Sequence, residues 1–189
     1  MSMLAIPVPE NISELLRDIK VGGKQLCDDK SDHITVMYFS EMSMNDTLKI
    51  IPIIDELTKK QKPFIISIKK YTTFVKGKNG FPVICKIKNA NLMNLRKDIK
   101  KSFDKNDIEY DNKFLEYIPH VTLEYNEEEV KDKEFDEISW QVNKISLYCG
   151  DKDKDQIYIE FPFGNLKKYS SSFIERLSEH YLKLSDDEL

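Results

Sequence analysis

A four-residue pattern that occurs twice, 87 residues apart, constrains this chain more than any other feature. His33–Val36 and His120–Leu123 each read histidine, apolar residue, threonine, apolar residue. The 189 residues include only three histidines and six threonines. Chance gives two such His-x-Thr pairs in a chain of this composition with odds of about 0.3%. We therefore interpret the repeat as one functional unit divided between two similar halves of the chain.

Both copies lie in β-rich runs whose alternating apolar residues predict strands over residues 33–39 and 120–125. Side chains two positions apart on a strand share a face. One set is therefore expected to pack beneath helices, and the other to face the open side of the sheet. The packed set is Ile34, Val36, Val121 and Leu123, and the open set is His33, Thr35, His120 and Thr122. If the two strands are neighbours about a pseudo-two-fold axis, one surface presents two imidazoles and two hydroxyls.

Two imidazoles and two hydroxyls suit cleavage of a phosphodiester. An imidazole with a pKa near ~6.5 gives or takes a proton at neutral pH, so two of them serve as general base and general acid. Two hydroxyls can donate to the non-bridging oxygens of the transition state. The sequence has no HExxH pattern and no Cys/His ligand set, so no metal site is expected. The third histidine, His180, has no threonine partner and is interpreted as a surface or packing residue.

Composition narrows the class of protein. With 40% hydrophobic and 11% aromatic residues the chain is not globally disordered, and no apolar run approaches the ~18 residues of a membrane span. Residues 1–10 lack the basic start of a secretory signal, so a cytoplasmic location is expected. The cysteines Cys27, Cys85 and Cys149 are odd in number and have no CxxC spacing, which predicts reduced core thiols.

Charge is unevenly distributed along the chain. The net charge is −4, but residues 1–105 carry +7 and residues 106–189 carry −11. Such asymmetry allows a local anion site within an acidic protein. The acidic half repels long polyanions, which favours a small nucleotide or a short RNA over long RNA as the ligand. Lysine outnumbers arginine 26 to 3, so bidentate arginine contacts are not the main means of recognising phosphate or guanine.

Hydrophobic periodicity and turn residues predict the order β-α-β-α-β-β-α-β-β-β-α. Strands are predicted over residues 4–8, 33–39, 64–74, 82–87, 120–125, 140–148 and 156–161, and helices over 11–19, 45–60, 92–103 and from about 166 onward. Asn11 is expected to cap the first helix with Glu14 at capping-box distance, and an acidic loop is expected over 126–136. The pattern predicts a domain over 1–165 with two lobes divided near residue 88, followed by a helical extension over 166–189.

With these residues in view, the chain resembles the 2H phosphoesterase superfamily, which includes the bacterial 2′-5′ RNA ligase/cyclic phosphodiesterases. Both motifs match the family's H-h-[ST]-h mark, where h is apolar, and Pro119 precedes the second as it often does in the family. Residues 22–33 and 161–164 are similar to segments of phage and prophage members. The resemblance covers about residues 3–165. It departs at Asp32, where the subgroup often has an apolar residue, and at residues 37–39, which replace a Leu-Gly ending.

The resemblance implies an α+β fold with two pseudo-symmetric lobes and antiparallel sheets around a central cleft. It also implies metal-independent cleavage of a 2′,3′-cyclic phosphate, or of a 2′-5′ or 3′-5′ bond in a small nucleotide, with no cofactor. The family's roles carry over to His33 and His120 as general acid and base, and to Thr35 and Thr122 as phosphate donors. Which histidine is the base is left open.

Around such a site a base must stack and further charge must be neutralised. Candidates for stacking are Phe39, Tyr71, Phe74 and Tyr117, because an aromatic face contributes about 1–3 kcal/mol per stacked base. Lys76, in a lysine-rich hairpin of the positive half, is a candidate to hold a second phosphate or an RNA end.

The leading hypothesis is a phosphodiesterase that acts either on RNA ends or on nucleotide second messengers. The phage-like segments favour the second branch, in which a phage enzyme in the host cytoplasm degrades signals of antiviral defence. A binding module that holds a nucleotide without turnover is the alternative, and a structural protein with fortuitous motifs is a third reading. The sequence sets no oligomeric state and gives no membrane partner.

Overall fold

A computed structural model describes residues 2–19, 21, 32–39, 42–111, 116–149 and 157–164 of the chain. The elements are β1 (Ser2–Pro7), α1 (Glu10–Arg17), β2 (His33–Phe39), α2 (Met44–Lys60), β3 (Phe64–Thr73), β4 (Phe81–Lys86), α3 (Ala90–Lys105), β5 (His120–Asn126), β6 (Lys133–Val142), β7 (Lys144–Cys149) and β8 (Ile157–Pro162). In these residues, no helix has the length and apolar character needed to cross a membrane.

All strand pairs are antiparallel, and the eight strands form one sheet in the order β6-β3-β4-β5-β2-β1-β7-β8. The order is symmetric about its centre, where the two motif strands β5 and β2 are neighbours. Their pairing consists of a single residue pair, Ile34 with Val121. The sheet is therefore two four-stranded halves that meet at the motif strands, and the expected pseudo-two-fold α+β architecture is confirmed.

Local sequence signals explain where the longer helices begin. Ser43 caps α2 through a capping box with Asp46, and the side chain of Asn89 caps α3 by accepting from the Leu92 amide. Both arrangements satisfy amide groups that have no partner within the helix. The expected cap at Asn11 is wrong, because α1 begins at Glu10 after Pro9 and has no side-chain cap.

The chain is divided between the two halves of the sheet in a way that periodicity did not predict. The apolar run 140–148, predicted as one strand, breaks at Asn143: β6 pairs with β3 in one half, and β7 pairs with β1 in the other. The expected acidic loop is shorter, because β6 already begins at Lys133. One half of the sheet contains β3, β4, β5 and β6 and the other contains β1, β2, β7 and β8, which differs from a cut near residue 88. The predicted helix over 166–189 lies outside the described residues.

Apolar side chains from the strands and helices form one continuous core. It contains the predicted face of α3, namely Leu92, Leu95, Ile99 and Phe103. Cys85 and Cys149 are buried thiols of this core, and burial raises the pKa of Cys85 to about 12. A thiol with a raised pKa is a poor nucleophile, which agrees with a packing role for Cys85. Cys27 lies outside the described residues.

Candidate active site

The two motif strands contain the same bulge at the same position. In β2 the register with β1 shifts between Thr35 and Met37, and in β5 the register with β4 shifts between Thr122 and Glu124. Each strand thus gains one residue directly after its threonine. A bulge exchanges the faces of the residues that follow it. The two motifs are therefore alike in backbone pairing as well as in sequence.

Burial confirms which face of each motif packs. The apolar residues Ile34, Val36, Val121 and Leu123 are buried, whereas His33, Thr35, His120 and Thr122 are only partly covered. The Ile34–Val121 pair fixes the relation between the motifs. Because β2 and β5 are antiparallel, this register sets His33 beside Thr122 and Thr35 beside His120. Each histidine of the open face is thus adjacent to the threonine of the other motif.

The position of the His120 ring is defined by three neighbours. Its Nδ1 donates to the main-chain carbonyl of Ile118 at 2.7 Å, which leaves Nε2 for other contacts. The Phe74 ring meets it edge-on with the centroids 5.0 Å apart. Burial lowers the pKa of His120, the hydrogen bond to Ile118 partly opposes this, and the positive charges of His33 and Lys86 lower it further. His120 is therefore held largely as the neutral imidazole at pH 7.

The contact between Phe74 and His120 also shows that the two rings lie on the same face of the sheet. Phe74 follows β3 and His120 begins β5, with β4 between them. Strands two apart in a sheet are separated by about 10 Å. Rings that nevertheless approach to 5.0 Å must lean towards each other over β4. Phe74 and His120 therefore share the open face, which we call the cleft.

Lys86 lies at the rim of this cleft. It is the last residue of β4, it pairs with His120 across the sheet, and its side chain is exposed. Its ammonium group lies 5.4 Å from the centre of the Phe74 ring. In the other half the residue that pairs with His33 is Pro7, so the positions beside the two histidines differ in charge.

Arg96 and Tyr117 hold the main chain of the first motif at its bulge. The Tyr117 hydroxyl donates to the Thr35 carbonyl at 2.9 Å, and Arg96 Nε donates to the Val36 carbonyl at 3.1 Å. The Arg96 guanidinium lies over the Tyr117 ring, 4.2 Å from its centre. We call this arrangement the Arg96–Tyr117 clasp. It occupies the hydroxyl and one ring face of Tyr117, so this residue positions β2, and base stacking on its other face stays a prediction.

Tyr38 and Tyr125 are site residues that the sequence analysis missed. Each follows its motif histidine by five residues, and the bulge places that position on the face of the histidine and threonine. Thr35 Oγ1 donates to the Tyr38 hydroxyl at 3.2 Å, and the Tyr125 side chain is 54% exposed. Burial and the nearby Tyr38 both raise the pKa of Tyr125, so the two phenols are neighbours in the cleft. The shared spacing of a tyrosine five residues after each motif histidine is visible in the sequence and could have identified both residues.

Phe39 and Tyr71 are corrected from the substrate-binding set. Phe39 is 2% exposed and packs against Phe103 with ring centroids 5.9 Å apart, and Tyr71 is 3% exposed on the core side of β3. Neither ring offers a face to a ligand in the cleft. Phe74 remains a candidate. Lys76 lies over the Phe81 ring at the hairpin end of β4, roughly 17 Å along the strand from Lys86 at ~3.3 Å per residue, and so lies away from His120.

Asp32, the residue that departs from the resemblance, faces α1. Its carboxyl group hydrogen-bonds with Ser13 and lies near Arg17 and His33. Burial raises its pKa above the ordinary value, and these three neighbours oppose that shift. Asp32 thus anchors the start of β2 to α1 immediately before the first motif.

A surface hollow lined by Phe39, Met42, Asp46, Ile50, Asp107 and Glu109 contains three carboxylates, which disfavour a phosphate there. Within the part of the chain that the structure describes, no three His, Cys, Asp or Glu side chains come together as metal ligands.

An antiparallel α+β sheet with two His-x-Thr strands side by side at its centre defines the 2H phosphoesterase class. The chain belongs to the 2′-5′ RNA ligase superfamily, whose sequence model matches residues 8–154. No curated protein sequence matches it.

Among solved structures, TT0787 of Thermus thermophilus has a TM-score of 0.69 and 16% identity, with 87% of this chain and 99% of that chain covered. A protein described as a phosphoesterase has a TM-score of 0.68 and 15% identity, with 87% and 98% covered. E. coli LigT complexed with 3′-AMP has a TM-score of 0.65 and 15% identity, with the same coverage. These similarities establish the fold.

Proposed function

We propose that this protein is a metal-independent phosphodiesterase in which His33 and His120 act as general acid and general base. The substrate is a 2′,3′-cyclic phosphate or a small oligonucleotide, either cyclic or 2′-5′ linked. The observation that carries the proposal is the bulged pairing of the motif strands, which sets each histidine beside the threonine of the other motif. A phosphate seated between the strands would meet all four side chains.

The surroundings of His120 favour it as the base. Its Nδ1 proton is directed to the Ile118 carbonyl, so neutral His120 presents Nε2 as a proton acceptor. A lowered pKa keeps this form populated at neutral pH. In the proposed step, water attacks phosphorus and transfers its proton to His120. His33 protonates the leaving ribose oxygen as its bond to phosphorus breaks.

The two threonines supply stabilisation of charge in this mechanism. Thr35 and Thr122 donate to the non-bridging oxygens, whose negative charge grows in the transition state. In the protein without ligand, the Thr35 hydroxyl is directed to Tyr38. A hydroxyl rotates freely, so Thr35 can exchange this partner for a phosphate oxygen.

Structures of the same fold support a small nucleotide as the substrate class. E. coli LigT has been crystallised with 3′-AMP, with NADP+ and with ATP. The acidic overall charge of this chain points the same way, because it disfavours long RNA. The proposal includes two branches, cyclic phosphates at RNA ends and the nucleotide second messengers of antiviral defence.

The test is turnover of a substrate panel in EDTA. The panel contains 2′,3′-cyclic mononucleotides, 2′-5′ oligoadenylate, and cyclic di- and trinucleotides, each incubated with the wild type and with a His33→Ala/His120→Ala variant. We expect cleavage by the wild type alone, and the cleaved member identifies the branch. Thermal unfolding of both proteins controls for the fold, which should persist because both histidines face the cleft.

Three outcomes count against the proposal. Loss of turnover in EDTA would overturn the metal-independent mechanism. Equal turnover by the double variant would remove the histidines from the chemistry. Tight binding of a panel member without product would favour the alternative, a nucleotide-binding module of the same fold.

A further inference from the structure

A row of positive side chains leads away from His120 across the second half of the sheet. Lys86 pairs with His120, and Thr72 pairs with Ile84 on the next strand out. Continuing this antiparallel register by two residues sets Lys70 beside Lys86. Neighbouring strands are about 4.8 Å apart, so the row from His120 through Lys86 to Lys70 spans about 10 Å.

Asp132 occupies the outer end of this row. Its Oδ1 accepts from Thr72 Oγ1 at 2.5 Å, and its Oδ2 accepts from Lys70 Nζ at 2.7 Å. These two donors and the charge of Lys86 all lower the pKa of Asp132. One hydroxyl and two ammonium groups thus surround a single anionic group, an arrangement that also suits a phosphate.

The corresponding positions of the other half match only in part. Pairing with the motif strands shows which residues correspond. Pro7 of β1 corresponds to Lys86, and Ala5 of β1 corresponds to Ile84. The strand beyond β1 contributes the buried Ser146 opposite Ala5. The position that matches Lys86 is therefore uncharged on the side of His33. The same register sets Lys144 beside Pro7, at the position that matches Lys70, and Lys144 pairs there with Glu160.

We propose that Lys70, Thr72 and Lys86 form a second anion subsite for a phosphate of the substrate other than the one that is cleaved. Asp132 occupies this subsite in the protein without ligand and is displaced when the phosphate binds. The inference rests on the proposed function and narrows it to nucleotides or short oligonucleotides that carry at least one further phosphate.

Exchange of Asp132 for a phosphate costs the folded protein little stability. The Lys70–Asp132 pair is about half exposed on both sides, at 48% and 51%, and exposed ion pairs contribute little net stability. A terminal phosphate carries up to two negative charges and three acceptor oxygens, so it can contact Lys70 and Thr72 together. Asp132 lies in the segment between β5 and β6, outside regular structure, and can move without breaking strand pairing.

The test compares the binding of two probes, a nucleoside 3′,5′-bisphosphate and the matching 3′-monophosphate, by calorimetry at low salt. We expect the wild type to bind the bisphosphate about tenfold more tightly or better, which is typical of one additional charge-assisted contact. Lys70→Met should bring this ratio close to one without changing the affinity for the monophosphate. Asp132→Asn should raise the affinity for the bisphosphate, because it removes the competing carboxylate and leaves Lys70 in place.

The two variants are expected to change the affinity for the bisphosphate in opposite directions, which distinguishes a binding subsite from a structural ion pair. Both variants break the same pair, so a merely structural role predicts that both change affinity in the same direction and through lost stability, which thermal unfolding measures. Lys97→Met, an exposed lysine of α3, is the control for net charge. Equal affinities for the two probes, or equal signs for the two variants, would overturn the subsite.

The subsite and the proposed function can fail separately. Turnover of cyclic mononucleotides without any preference for the bisphosphate overturns the subsite alone. A preference for the bisphosphate that depends on Lys70, without turnover of any panel member, supports the subsite and contradicts hydrolysis.

Discussion

The Tyr117 hydroxyl donates a hydrogen bond to the main-chain carbonyl of Thr35, 2.9 Å away and 82 residues earlier in the chain. Tyr117 precedes the second motif, and Thr35 belongs to the first. The bond therefore crosses the junction where β2 and β5 share only the Ile34–Val121 pair. With Arg96, it fixes how the two halves of the candidate site face each other.

We predict that Tyr117→Phe lowers kcat about tenfold with little change in KM. The variant keeps the ring under Arg96 and removes only the donor to Thr35, so stability should fall by about 1 kcal/mol. Steady-state kinetics and urea unfolding measure the two effects. Tyr110→Phe is the control, because it removes a phenol that donates to Asp104 at 2.5 Å on α3. An unchanged kcat with reduced stability would show that the clasp supports the fold without positioning Thr35.

The pKa of His120 makes a prediction about pH. Because burial, His33 and Lys86 lower this pKa below its ordinary value of 6.5, the acidic limb of the pH–rate profile should lie below 6.5. Lys86→Met removes one positive charge and should move the limb upward, measured with a cyclic mononucleotide. Lys88→Met, an exposed lysine two residues on, should leave the limb in place. A downward shift in the Lys86 variant would refute the electrostatic account.

The same pKa has a consequence for stability. The folded protein binds a proton at His120 less readily than the unfolded chain, whose histidine titrates near 6.5. The contribution of neutral His120 is therefore present above pH 6.5 and is lost as pH falls through the folded-state pKa. Urea unfolding across this range should show a smaller dependence on pH in His120→Ala than in the wild type. An identical dependence in both proteins would contradict the lowered pKa.

Tyr38 and Tyr125 are predicted to contact the bases of the substrate. Replacing either by Leu removes an aromatic face worth about 1–3 kcal/mol per stacked base, so KM should rise about tenfold. Replacement by Phe should keep most of the affinity, because stacking needs the ring and not the hydroxyl. KM values for a mononucleotide and a dinucleotide test this. If Phe and Leu variants behave alike, the hydroxyl and not stacking accounts for the role of these residues.

Gly80 and Gly164 provide a matched test of backbone strain. Both have positive φ, 106° and 83°, which disfavours any other residue. A Cβ at Gly80 would also collide with the Asn126 main chain, whereas no atom of the described residues lies within 4 Å of one at Gly164. Gly164→Ala should lower the free energy of unfolding by about 1 kcal/mol, and Gly80→Ala by about 2 kcal/mol or more. Equal costs in urea unfolding would contradict the steric part of this account.

The local sequence pattern was sufficient to predict most of the helices and strands. The strands of both motifs, the helices that begin near residues 45 and 92, and the hairpin with its turn before Gly80 were predicted because each depends on residues close together in sequence. Periodicity failed at Asn143, where one apolar run serves two strands in different halves of the sheet. An apolar run is the same whichever partner it pairs with, so only long-range pairing reveals such a break.

The same distinction between local pattern and long-range pairing applies to the candidate site. Sequence alone determined the candidate catalytic side chains and the open face of each motif, since period two on a strand is a local property. Tertiary structure decided that the threonines are followed by bulges, that Tyr38 and Tyr125 join the cleft, and that Lys86 lies beside His120. It also removed Phe39 and Tyr71 to the core. These features depend on the register between strands that are far apart in the chain, and register is set by packing of the whole sheet.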